Sequence, residues 1–290
     1  MEKKSYLHAP LVMSLIDVRV AELPKFSAHG KHDELYEEMS SIGFKIPVKE
    51  IQTELQIEVP RNANSLEAKH SSKDIERWVF IDVSRTTSVY VSSRNIAIKT
   101  TNYSSHEEFA RQFEGVLSAV EKVFPGIKNG AITRIGTRYV NLLMPKDGFT
   151  INDYMPSCWL PNSTETSLPF EAKEGFHNRL LMNYETNQGN LRVENNLFTP
   201  KEGFPFIVLP TDIMDGPDTG LDIAGQPWWG DSISKKLPYA ILDIDLSNEI
   251  RQDFSKDVIF SAINGMRSYT REAFEMCVTS IAREHWESVY

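Results

Sequence analysis

The stretch Ser105–Gly126, SHEEFARQFEGVLSAVEKVFPG, decides the class of fold. Phe109, Phe113, Val116, Leu117, Val120 and Phe124 recur at three- and four-residue spacing, which puts them on one stripe of a helix. Ser105 followed by Glu108 has the form of a capping box, and Pro125-Gly126 is a stop signal. The helix is therefore predicted over residues 105–124, with its apolar stripe on a sheet.

Upstream, Trp78–Val83, Ser88–Val91 and Asn95–Ile98 are short β-rich runs joined by tight polar connections. They read as an antiparallel meander, with the last two forming a hairpin across Ser92-Ser93-Arg94. Farther upstream, Leu11–Leu23 and Glu50–Val59 alternate apolar and polar residues as half-buried strands do. Between them, His32–Ile42 carries Leu35, Met39 and Ile42 at helical spacing, and Pro60–Lys73 reads as a surface loop. Downstream of the helix, Ile132–Leu143 is a strand bounded by Asn129-Gly130 and Pro145.

After a Pro/Ser/Thr-rich connector beginning at Asp147, the order is similar. Asn178–Tyr184 and Leu191–Leu197 read as a hairpin, Phe204–Leu209 as a short strand and Tyr239–Leu246 as another. A helical region follows from Ser255 to Trp286, with a break expected near Thr270 or Thr279. The expected architecture is α+β, with two related halves, each an antiparallel sheet packed against a long amphipathic helix. The predicted boundaries are residues 1–146 for the first half, 147–177 for the connector and 178–290 for the second half.

Composition narrows the function classes. The 290 residues include 41% hydrophobic and 24% charged side chains, ordinary for a globular protein. The formal net charge is −9, from 31 Lys+Arg against 40 Asp+Glu, with no basic run. Nucleic-acid binding is therefore not expected, because such proteins concentrate positive charge where they meet phosphates. Cys158 and Cys277, the two cysteines, make no disulfide framework. With no signal-peptide pattern after Met1 and no apolar run of spanning length, a cytoplasmic location away from membranes is expected.

The motifs of several chemistries are absent: no GxxxxGK[ST] loop, no GxGxxG after a strand, no HExxH, no paired-cysteine zinc pattern and no GxSxG elbow. His29 and His32 are a near pair, but a metal would need further ligands from elsewhere. Asp212, Asp215, Asp218 and Asp222, interspersed with Gly216 and Gly220, look superficially like a cation loop but miss the EF-hand spacing. Cys158 and His177 have nothing that fixes their mutual approach. No catalytic residue, cofactor or metal is assigned from these patterns.

Two features draw more attention. Arg134 and Arg138 fall on one strand face across Gly136, and Asp82 would pair with one of them if the two strands were neighbours. Together these residues would form either a structural ion pair or a pocket for a carboxylate or phosphate. The second feature is the long 210–238 loop, in which Asp215, Asp218 and Asp222 precede Trp228-Trp229. Adjacent indoles on extended backbone face opposite ways, so one would anchor the loop and the other would meet a protein partner.

The run Arg134-Ile135-Gly136-Thr137-Arg138-Tyr139-Val140-Asn141 resembles the R-[IV]-G-x-R-Y-[IV]-N strand of a sporadically distributed, functionally uncharacterised bacterial protein family. Ala9–Val12, the Asp82–Val91 hairpin, Thr100–Tyr103 leading into Glu108-Phe109, and Phe274–Trp286 are similar to further segments of that family in the same order. Thr137 stands where the pattern expects an apolar residue. The resemblance implies an accessory gene carried between genomes, of the defence, immunity or toxin-neutralising kind. The leading expectation is a non-enzymatic accessory protein that binds a protein partner. The alternatives are a small-ligand sensor or enzyme using Asp82, Arg134 and Arg138, and a nucleic-acid-associated factor.

Overall fold

A computed structural model describes residues 5–58, 69–160 and 177–289. In chain order the strands are β1 (Ser5–Tyr6), β2 (Leu11–Val20), β3 (Phe44–Glu58), β4 (Lys69–Asp82), β5 (Thr87–Ser92), β6 (Asn95–Thr100), β7 (Ala131–Leu143), β8 (His177–Thr186), β9 (Gly189–Phe198), β10 (Tyr239–Asp253) and β11 (Ser288–Val289). The helices are α1 (Lys31–Ser41), α2 (His106–Val123), α3 (Ile151–Tyr154), α4 (Trp229–Ser234), α5 (Lys256–Cys277) and α6 (Ser280–His285). Nine strands form one sheet in the order β3-β4-β5-β6-β2-β7-β10-β9-β8, and β1 pairs with β11. Every neighbouring pair is antiparallel, so the fold is α+β. Among the described residues no helix is long and apolar enough to cross a membrane.

Strand alternation sends one set of side chains toward the helices. Ile16 and Val18 of β2, Val89 and Val91 of β5, and Leu242, Ile244 and Leu246 of β10 share one buried cluster with the helical residues. From α2 this cluster takes Phe109, Phe113, Val116, Leu117 and Val120, and from α5 it takes Ile259, Ile263 and Met266. Ser105 Oγ accepts the Glu108 N–H at 3.1 Å and so caps α2. The Glu108 carboxylate turns to Arg111 and Gln112 rather than back to the cap. At the other end of the chain, Val278 is extended and Thr279 caps α6, so the helical region breaks at the second of its two expected positions.

Among the described residues the opposite face of the sheet has no helix of comparable length. Residues 199–238 run over it instead, packing Phe206, Ile207, Leu209 and Trp229 on Val140, Leu142, Tyr239 and Ile241. The 204–209 run expected to be a strand is therefore not in the sheet. Its apolar character serves burial against the flat of the sheet: Phe206 lies 4.5 Å from the Tyr239 ring, and the Ile207 N–H donates to Tyr239 Oη at 3.1 Å. The 210–238 loop contains a 3-10 turn at Thr211–Ile213 as well as α4.

Several strands are longer than their apolar cores suggested. β3 and β4 pair from Phe44↔Asp82 to Glu58↔Lys69. Lys69–Lys73 of the expected 60–73 loop thus belong to a strand, while 59–68 lie outside the described residues. The connector holds α3 and a 3-10 turn at Ser157–Trp159, and its residues 161–176 are likewise outside the described ones.

Candidate functional site

The face covered by residues 199–238 carries most of the interior charge. On β7, Arg134 and Arg138 both point to this face. A Cβ at Gly136, between them, would sit 3.1 Å from an Arg134 guanidinium nitrogen. Glycine is therefore what lets Arg134 lie along its own strand. There it pairs with Asp17 of β2, and it reaches Glu249 at 3.5 Å and Asp245 at 3.9 Å on β10.

Arg138 is held between two carboxylates. Its Nε and Nη2 donate to Asp243 of β10 at 2.9 and 2.6 Å, and its Nη1 and Nη2 donate to Asp212 at 2.6 and 3.0 Å. The two acids differ in setting: the side chain of Asp243 is 2% exposed, that of Asp212 58%. Burial pushes the Asp243 carboxyl above its ordinary range, against the pull of Arg138. The hydrogen bonds from Arg138 hold Asp212 below its range. Burial would lower the Arg138 pKa, but the bonds to both acids carry it above its usual value. Next along the sheet, Glu194 of β9 accepts from Arg179 of β8 and from Arg192 and Asn196 of its own strand. Burial alone would raise the Glu194 carboxyl, but those donors keep it low.

A second cluster lies on β4, β5 and β6. Lys99 is buried and pairs with Asp215. Tyr90 Oη donates to the same carboxylate at 2.9 Å and accepts from Ser88 Oγ at 3.0 Å. Lys99 Nζ and the Arg77 guanidinium lie 4.9 and 4.8 Å from the Tyr90 ring centroid, within cation–π range. Burial depresses the Lys99 pKa, opposed by Asp215. The Tyr90 hydroxyl is pushed up, first by burial and then by the Asp215 charge.

These clusters fix the 210–238 loop as a strap. Beyond Asp212 and Asp215, Thr219 Oγ1 donates to Glu50 of β3 at 2.7 Å, and Arg85 Nη2 donates to the carbonyls of Asp218 and Gly220 at 3.0 and 2.9 Å. Trp228 Nε1 donates to the Met144 carbonyl at 2.9 Å, with Lys146 Nζ 4.4 Å from its ring. Trp229 is buried and donates to Gln226 Oε1 at 2.7 Å. Asp215 and Trp229 therefore face the chain's own sheet, Trp228 is half-buried, and Asp218 and Asp222 are exposed.

Asp82 does not join the arginines. Three strands, β5, β6 and β2, separate β4 from β7. The Asp82 carboxylate instead accepts the N–H groups of Thr86 and Thr87 at 2.8 and 3.1 Å and the Ser84 hydroxyl at 2.6 Å. An aspartate opening a turn finds unpaired N–H groups a few residues on, and these hold it locally. Among the described residues no group of three or more His, Cys, Asp or Glu side chains could hold a metal. His32 packs edge-on against Trp78 at 5.1 Å, and His177 stacks on Phe198 at 4.6 Å.

The sequence reading missed Asp17, Lys99, Glu194 and Asp243, although for all but Glu194 a signal was present. Asp17, Lys99 and Asp243 are charged residues among apolar neighbours in their strands, and a charge buried there needs a partner on the neighbouring strand or the covering loop. Glu194, in the polar strand β9, gave no such signal. Compared with known proteins, the chain matches no family model, no curated protein sequence and no solved structure.

Proposed function

We propose that the chain is a non-enzymatic binding protein that recognises a protein partner through the outer surface of the 210–238 strap. The observation that carries this reading is the way the strap is held. Its inward groups are engaged by Arg138, Lys99, Glu50 and Arg85. Its outward residues Met214, Asp218, Asp222, Asp231 and Ile233 remain exposed. A segment already fixed in shape loses little conformational entropy when a partner docks, so its contacts translate more fully into affinity. The outward carboxylates, on a chain of net charge −9, favour a partner with a basic surface. In this reading Trp228 and Trp229 support the strap from beneath, while Met214 and Ile233 supply the apolar contact.

The ligand-pocket alternative needs a guanidinium free to meet an anion, and it draws no support from an Arg138 engaged on both sides or an Arg134 that pairs with Asp17. The resemblance at Arg134–Asn141 supports an accessory role, of the kind served by defence or immunity components. The same reading takes the two parts of the chain as related. Outward from the β2–β7 contact the strands run β6, β5, β4 on one side and β10, β9, β8 on the other, and β6 and β10 each lead into a long helix.

The test is the double substitution Asp218→Lys/Asp222→Lys. The expected result is an unchanged melting temperature with loss of the protein cross-linked to the wild type in host lysate. Wild-type capture should also weaken as salt rises. An identical cross-linked profile for the two proteins would refute the reading.

A further inference from the structure

The two outer edges of the sheet are built differently. An exposed strand edge is a template for pairing with another chain, and folded proteins block it with proline, lysine, bulges or a covering segment. β3, at one edge, has such blocks: Pro47, Lys45 and Lys49 lie in it, and its register shifts between Phe44 and Ile46. β8, at the other edge, is ten residues long, HNRLLMNYET, with no proline or lysine. Its ladder to β9 runs without a shift from His177↔Phe198 to Thr186↔Gly189, and among the described residues no strand pairs its outer side. Leu181 and Tyr184 are 42% and 39% exposed.

We propose that β8 pairs antiparallel with β8 of a second copy of this chain, joining two nine-stranded sheets into one across a two-fold axis. The pattern of β8 is self-complementary about Met182. An axis normal to the sheet keeps the helices of both copies on the same face and sets residues of equal parity opposite one another. With Met182 opposite its own copy, Leu180 faces Tyr184 of the second copy on the helical side. On the other side Arg179 faces Glu185, and the symmetry makes that ion pair twice. Arg179 bonds to Glu194 through Nε and Nη2, so Nη1 takes no part in those bonds, and with the side chain 51% exposed it can serve the second acid. Opposite charges set directly across a ladder stabilise it and like charges destabilise it. A contact made mainly by one strand falls at the lower end of the ~1,200–2,000 Å² that specific interfaces bury, so the dissociation constant is expected on the order of micromolar. This inference is independent of the role given to the strap.

The test is sedimentation velocity on the full chain over a concentration series, with Glu185→Arg and Arg179→Glu prepared separately. Wild type should pass from monomer to dimer. Each variant alone should dissociate at least about tenfold more readily, because each sets two like-charge pairs across the axis. An equimolar mixture of the two variants should recover the dimer, since in the heterodimer both pairs again unite opposite charges. Thermal melting checks that each variant is folded, and Met182→Lys, which sets two ammonium groups at the axis, should also remain monomeric. A wild type that stays monomeric throughout, or a dimer unaffected by Glu185→Arg and Met182→Lys, would overturn the proposal.

Discussion

Replacing Arg138 with Met removes the cation shared by Asp243 and Asp212. The cost should fall almost entirely on Asp243, whose side chain is 2% exposed and would keep a buried, unpaired charge. Breaking a buried pair from one side costs about 3–5 kcal/mol. Asp212, 58% exposed, can return to water, and an exposed pair contributes only about 0.2–1 kcal/mol. In urea unfolding followed by tryptophan fluorescence, with a slope near ~3 kcal/mol/M for a chain of this size, the midpoint should fall by roughly 1–2 M at unchanged slope. The deficit should shrink on acidification. Burial already raises the Asp243 pKa, and Arg138 is what opposes the rise. Without Arg138 the folded-state value climbs further, and the penalty of the ionised carboxylate is relieved as pH falls through it. The double variant Arg138→Met/Asp243→Leu should regain most of the loss, because apolar replacement of a buried ion pair is often neutral. A single-variant loss below about 1 kcal/mol, or a double variant no more stable than the single, would refute the reasoning.

Phe113, fully buried in α2 and 6.3 Å edge-on from Phe260, should cost about 3–5 kcal/mol when cut to Ala, and a loss under about 1 kcal/mol in the same assay would contradict its place in the core. Asp215→Asn should destabilise the protein by leaving Lys99 charged and buried. Because burial depresses the Lys99 pKa, that loss should diminish as pH rises through the folded-state value, and a loss that grew with pH would contradict the pairing. Gly189→Ala should lower stability by about 1–3 kcal/mol, since φ is +121° and the new Cβ would meet the Ser247 carbonyl oxygen at 2.2 Å. Gly216→Ala, which adds a methyl in open space, should stay within about 0.5 kcal/mol, and equal melting losses for the two glycines would count against the close packing of the β9 turn on β10.

What could be read from the sequence was whatever one element decides by itself. α2 carried its period, its serine cap and its proline stop within a single window, and its observed span, His106–Val123, differs from the expected one by a residue at each end. The β5–β6 hairpin was fixed by its short polar connection in the same way. Pairings that depend on distant segments were not legible. Nothing local distinguishes a strand neighbouring β4 from one neighbouring β2. The condition for pairing Asp82 with Arg134 or Arg138, that their strands be neighbours, is not met: β5, β6 and β2 lie between β4 and β7. The 204–209 run failed for a related reason: an apolar stretch looks the same in a ladder and lying flat on a sheet. The two arginines were found because they alternate on one strand, whereas their acids, Asp17, Asp212 and Asp243, come from three separate segments.

The strap also bears on the order in which the molecule can be completed. Lys99 and Arg138 are synthesised well before Asp215 and Asp243, yet each is buried beside those later acids. β7 bonds to β2 along one edge, and its other edge stays bare until β10 emerges more than a hundred residues after Arg138. A nascent chain that has reached only Leu143 therefore holds two cations without their counter-charges and an open ladder beside them. Sealing that half-made sheet requires β10, so this side of β7 cannot close before residues 239–253 have been made.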